Sequence, residues 1–156
     1  MAMIRFHQEG KYMKLVVFNV GSALCVYAEH QTTRIVFDIG KGNNFSPVND
    51  FLLPLYEKRG EHRLKNRNNR YGISQLIVSH PHKDHISDIQ EFDKNFYAHL
   101  LTTPNSKSPN GNPQNINWRK ITTPDDPDVK YLKRMKIGRN LPLRSFDSEH
   151  LKIGYL

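Results

Sequence analysis

The stretch Ile73-Ser-Gln-Leu-Ile-Val-Ser runs without a break into His80-Pro81-His82-Lys83-Asp84-His85, and apolar residues then return at Ile86, Ile89, Phe92 and Phe96. An apolar run of that length reads as a buried strand, and the spacings that follow it are those of a helix with one apolar face. Strand and helix alternating around Leu76 to Val78 favour a mixed α/β layer architecture over an all-β one.

The residues upstream extend the same pattern. From Met13, two β-branched apolar runs separated by Gly21 and Ser22 predict two strands joined by a tight turn. Arg34-Ile-Val-Phe-Asp-Ile-Gly predicts a third strand ending at Asp38, with Gly40 and Gly42 supplying turn conformations in the loop after it. Val48, Phe51, Leu52, Leu55 and Tyr56 mark one face of a helix over 47–58, which Pro54 must kink or break. Residues 102–128 hold five of the nine prolines and show no periodicity, so a long loop is expected there. Trp118, beside Arg119 and Lys120, reads as the anchor of that loop rather than a stacking platform for a base. A basic segment follows, ending in a strand over 151–156.

At 156 residues the chain is expected to be one domain. Residues 1–12 read as an extension ahead of Met13, 13–100 as the core that bears the motif, 102–128 as the loop, and 129–156 as the basic segment with the last strand. The single cysteine, Cys25, excludes an internal disulfide and a Cys-based zinc knuckle, and in a strand pattern it reads as an inert small hydrophobe. No apolar stretch approaches the ~20 residues of a membrane span, and no secretory signal opens the chain. The expectation is a cytoplasmic protein without a membrane partner. A formal net charge of +8 favours polyanionic partners such as nucleic acid. The densest basic run supplies the candidates for that contact: Lys58, Arg59, Arg63, Lys65, Arg67 and Arg70.

The chemistry lies in residues 80–85. His80 and His82, two apart in extended chain, project to one side, and Asp84 and His85 sit where the loop turns into the helix and can aim back. Imidazoles with a carboxylate suit Zn²⁺, and also Mn²⁺ or Fe²⁺, with a position left for water. Such an ion lowers the pKa of its water from 15.7 to about 7, so hydrolysis is the reaction class that follows. Chance would produce this pattern about once in a thousand chains of the same composition.

His80-Pro81-His82-Lys83-Asp84-His85 resembles the His-x-His-x-Asp-His signature of the metallo-β-lactamase superfamily. Phe18-Asn-Val-Gly-Ser-Ala-Leu-Cys-Val-Tyr resembles its opening hairpin, Ile35-Val-Phe-Asp-Ile-Gly the strand after it, and Phe51-Leu-Leu-Pro-Leu-Tyr-Glu-Lys-Arg-Gly the next helix. Within the superfamily the chain looks most like hydrolase domains related to the DNA-uptake competence protein ComEC. The resemblance runs from about Met13 to Phe92.

It implies the N-terminal half of a four-layer αββα sandwich, with a mixed sheet flanked by helices and one or two zinc ions at the sheet edge. His80 and His82 would bind the first metal, Asp84 and His85 the second; Asp84 would also orient or deprotonate the attacking water, and Asp38 would support the metal loop. The family pattern continues with a further His, a bridging Asp after a later strand, and a final His. Here only His99 and His150 follow the motif, and His150 is taken as the third ligand of the first metal. Half a sandwich leaves one sheet face apolar and open, so that either a second chain covers it or the rest of the fold has been removed.

Three functions remain. The leading one is a metal-dependent, nuclease-like phosphodiester hydrolase. The same metal hydroxide would equally serve a lactonase, thioesterase or β-lactam hydrolase. A non-catalytic subunit or binding module is the third.

Overall fold

The computed structural model describes residues 2–8, 11–79, 81–104, 126–132, 135 and 139–143, and the side chains among these apart from those of 2–8, 11, 12, 65, 103, 104 and 139–143. His80, Trp118, His150 and the strand expected over 151–156 lie outside the described residues.

The strands are β1 (Ala2–Gln8), β2 (Lys11–Val17), β3 (Cys25–His30), β4 (Thr33–Ile39), β5 (Tyr71–Ile77), β6 (Phe96–Pro104) and β7 (Arg139–Leu143), and they lie in one sheet in chain order. β1 to β4 pair antiparallel, whereas β4 to β7 pair parallel. Each parallel step needs a crossover, and helices provide them. α1 (Leu53–Lys58) joins β4 to β5, α2 (Lys83–Ile86) and α3 (Ile89–Asn95) join β5 to β6, and α4 (Pro127–Leu132) lies between β6 and β7. The result is an α/β fold: a five-stranded mixed body, β2–β6, with the crossover helices packed against one face and β1 and β7 as extensions.

One apolar cluster joins helices and sheet. Tyr27, Val36, Leu76 and Leu101 follow one another across the register and meet Leu52 and Tyr56 of the first crossover, Ile86, Ile89 and Phe92 of the second, and Val129 and Leu132 of α4. Val48, Leu52 and Tyr56, four residues apart and all buried, are the face that the sequence pattern predicts. At Pro54 the winding changes but the helical backbone runs on unbroken through Leu52 and Leu53. Proline has no N–H to continue the helical ladder, and the turn before it, Val48–Leu52, is wound as a π-helix with Leu53 N–H donating to Val48 O.

The opposite face of the sheet has a different character. Two cross-strand rows run over it, Leu15-Ala28-Ile35-Gln75-Leu100 and Val17-Val26-Phe37-Ile77-Thr102. None of these residues is charged, and the two polar ones satisfy each other, Gln75 Nε2 donating to Thr102 Oγ1 at 2.5 Å. Phe37 is 36% exposed, and among the described residues no helix packs on this face.

Within the expected extension, Ala2–Gln8 pairs residue for residue with β2, whose ladder begins at Lys11, two positions ahead of Met13. Two expectations are corrected. The helix after the motif is broken at Ser87 and Asp88 into α2 and α3, and Phe96 opens a strand instead of closing a helix. Residues 102–104 belong to that strand, and 127–132, within and just past the expected loop, form α4. The signal for β6 was Tyr97-Ala-His-Leu-Leu-Thr-Thr, a run rich in strand-forming residues that lacks strict alternation.

Candidate metal centre

β4 and β5 are parallel neighbours, so their carboxyl ends open at the same edge of the sheet. That edge is where open α/β sheets place their sites. β4 delivers Asp38 there, and the chain leaving β5 delivers Ser79 and then α2 with Asp84 and His85.

Asp38 is aimed by an irregularity in its strand. Cys25 pairs with Ile39 and Val26 with Phe37, leaving Asp38 as the extra residue of a β-bulge, at φ 52°. Aspartate tolerates this left-handed region better than most residues, and bulges re-aim the side chains they carry. The carboxylate of this buried residue collects three contacts among the described residues. Ser79 N–H donates to Oδ1 and Ser79 Oγ to Oδ2, both at 2.7 Å, and His85 Nδ1 lies 2.8 Å from Oδ2. A carboxylate only accepts, so Nδ1 is the donor when this contact is a hydrogen bond, and Nε2 faces away from Asp38.

His85 Nε2 is 3.4 Å from Asp84 Oδ2. Two ligands about 2.0–2.1 Å from a tetrahedral zinc are about 3.4 Å apart, so this pair has the spacing of neighbouring ligands, and Asp38 stands behind it as a carboxylate behind a ligating histidine. The donor chemistry fits an ion over this part of the motif. His82 precedes the first turn of α2, exposed, and its carbonyl accepts from His85 N–H at 2.9 Å. His80 and His150 lie outside the described residues, and among the described residues no three His, Cys, Asp or Glu side chains form a group that could hold a metal.

The loop is fastened from behind. Leu24 N–H donates to Asp84 O at 3.0 Å, and Gly40 N–H to Leu24 O at 2.9 Å. A Cβ on Gly40 would lie 1.9 Å from Asp84 O and 2.9 Å from Ala23 Cβ, so glycine is there for space. This corrects the turn-conformation expectation, since neither Gly40 nor Gly42 has positive φ. Asp88 N–H donates to Ile39 O and Lys41 N–H to Ser87 Oγ, both at 2.9 Å. The Asp88 carboxylate accepts from Ser46 Oγ at 2.6 Å and Val48 N–H at 3.2 Å through Oδ2, while buried Oδ1 accepts no hydrogen bond among the described residues and lies 4.0 Å from Lys41 Nζ. Burial pushes the Asp88 carboxyl above its usual range, against the lowering effect of those hydrogen bonds. Ser79, Asp88 and Gly40 were given no site role from sequence, because their partners lie some forty residues away along the chain.

The basic candidates gather elsewhere. They surround the entry to β5, and the motif follows its exit, six residue steps or about 20 Å away. Arg59 is paired with Glu29 at 2.5 and 3.0 Å, and Arg70, buried, is bonded to Asp93. Arg63 lies 4.3 Å over the Tyr71 ring and 3.9 Å from Glu57, Arg67 lies 4.6 Å over Tyr97, and Lys58 is exposed. The Lys65 side chain is outside the description.

No helix among the described residues is long and apolar enough to cross a membrane. No family model, no curated protein and no solved structure matches this chain.

Proposed function

We propose that the carboxyl edge of β4 and β5 is the metal centre of a hydrolase of the metallo-β-lactamase type, and that the chain forms the N-terminal half of an αββα sandwich. The observation that carries this reading is the chain of contacts from Asp38 through His85 to Asp84, inside a His-x-His-x-Asp-His sequence at a strand-to-helix turn. The uncharged face of β2–β6 supports the second half of the proposal, since a second sheet packs about 10 Å above such a face.

His80, His82, Asp84 and His85 would hold one or two ions, zinc first and Mn²⁺ or Fe²⁺ as substitutes, with His150 as the third ligand of the first. A bound ion supplies a water acidic enough to ionise near pH 7. Asp38 fixes the ring of His85, and Asp84, half-buried beside it, is the group placed to accept a proton from an attacking water. A phosphodiester is the substrate favoured by the net charge of +8.

The test is the metal content of the purified chain, by elemental analysis, beside a His80→Ala, His82→Ala variant. Near-stoichiometric zinc or manganese that the variant loses supports the centre, and hydrolysis of bis-p-nitrophenyl phosphate in preference to a lactone or thioester supports the substrate class. A folded chain free of metal removes the proposal. That result would favour the second reading, a non-catalytic binding module, whose support is the lack of a three-residue ligand group among the described residues.

A further inference from the structure

The entry to β5 carries a second feature that the metal centre does not use. Residues 61–70 form a small closed loop. Leu64 and Arg70 pair across it, Leu64 N–H donating to Arg70 O, and its tip turns through Asn68 and Asn69, both at positive φ (56° and 58°). Its arginines have separate fates. Arg70 is consumed by the fold, buried against Asp93. Arg63 lays its guanidinium group on the ring of Tyr71 and donates to Asn69 O at 3.1 Å, while Arg67 lies over Tyr97, a ring it shares with Arg70 at 5.3 Å, and Arg67, exposed, has no carboxylate partner among the described residues. Tyr97 is 3% exposed, and its buried hydroxyl has no partner among the described residues. His99, exposed, stands edge-on to the same ring at 5.4 Å.

A guanidinium held flat on an aromatic ring keeps its N–H edges free and loses little side-chain entropy on binding, which suits bidentate recognition of phosphate. Exposed Asn66, Asn68 and Asn69 add donors and acceptors for sugars and base edges. The loop's one apolar residue, Leu64, is half-buried and packs against Gly72, so it offers no side chain to insert into a lipid surface.

We propose that the 61–70 loop is a contact site for a single nucleic-acid strand, in which Arg67, with Arg63 beside it, grips backbone phosphates at the end of the sheet opposite residues 80–85. The site stands on the loop geometry alone and does not depend on the metal-centre reading.

The experiment measures binding of a labelled single-stranded oligodeoxythymidylate, about 16 nucleotides long, over a series of salt concentrations. The proposal expects affinity to fall with salt, with a log–log slope near −0.7 for each phosphate contacted. Arg67→Ala should weaken binding about threefold to tenfold and flatten the slope by about 0.7, and Arg67→Lys, which keeps the charge but not the planar fork, should fall between. Lys94→Ala removes the same charge from α3 and should bind as the wild type. The His80→Ala, His82→Ala variant should also bind normally, which separates this site from the metal centre. Circular dichroism confirms that each variant is folded. Absence of binding, equal losses in the Arg67 and Lys94 variants, or a preference for vesicles of anionic lipid over the oligonucleotide would overturn the proposal.

Discussion

The Asp38 carboxylate lies 2.8 Å from Nδ1 of His85, and this contact turns Nε2 of the same ring toward Asp84. The two residues are 47 positions apart. They meet because a bulge rotates one out of its strand and a loop folds the other back over the end of the next strand.

Asp38→Asn should keep the fold while loosening the ring. Asparagine also accepts a left-handed conformation, so the bulge survives, but an amide cannot replace the carboxylate behind a ligating histidine. Zinc affinity, measured against a competing chelator, should fall about 10- to 100-fold with an unchanged thermal transition. Unaltered affinity would remove Asp38 from the site.

Gly40→Ala should cost stability. The new methyl would sit 1.9 Å from the Asp84 carbonyl oxygen and must push the 83–88 loop away from β4. Overpacking of this kind costs about 1–3 kcal/mol, read from the midpoint of urea unfolding. Gly21→Ala meets no atom within 4 Å, but its φ of 71° is strained for alanine, so its loss comes from the backbone and should leave metal affinity intact.

Acid sensitivity should trace to Glu29. Burial raises its carboxyl, but bonds from Arg59 and Arg34 outweigh that, and the net displacement is below the usual carboxylate range. A depressed folded-state value contributes stability that is present above the ordinary glutamate range and is lost as pH falls through the folded value. Glu29→Gln should therefore be less stable than wild type at pH 7, by about 1 kcal/mol for so partly exposed a network, and the gap should close in acid. A gap that persists at low pH would mean that packing, not charge, holds this end of the sheet.

Substrate length should separate the two ends of β5. With about 20 Å between the basic loop and the motif, a small phosphodiester reaching the motif cannot touch Arg67. Arg67→Ala should leave turnover of bis-p-nitrophenyl phosphate unchanged and raise KM for a single-stranded oligonucleotide about threefold to tenfold. Equal effects on both substrates would place the loop's influence in the fold rather than in binding.

Much of the fold was legible locally. Period-two and buried runs marked β3, β4 and β5, and spacings of four marked the face of α1, because each follows from neighbouring residues meeting one environment. β6 was missed for a physical reason. Between Ile73 and Leu76, and in register between Ala98 and Leu101, the core-facing positions change parity, so neither strand shows clean alternation, and only β5 has the adjoining motif to announce it. In the site, the residue types of 80–85 and the strand-end position of Asp38 were plain; the Asp38 bulge, Ser79 as its donor and the space demanded of Gly40 were not.

By itself the sequence determined the alternation of strand and helix, the position of a turn rich in His and Asp between them, and the density of basic charge before β5, all properties of contiguous residues. Only the tertiary structure decided what those side chains face. Parallel pairing of β4 with β5 brings Asp38 to His85 and sets the basic loop at the other end of the strand. It also binds Arg59 to Glu29 and Arg70 to Asp93 while leaving Arg67 on a tyrosine ring. Partners forty residues distant are chosen by register and packing, which no local pattern encodes.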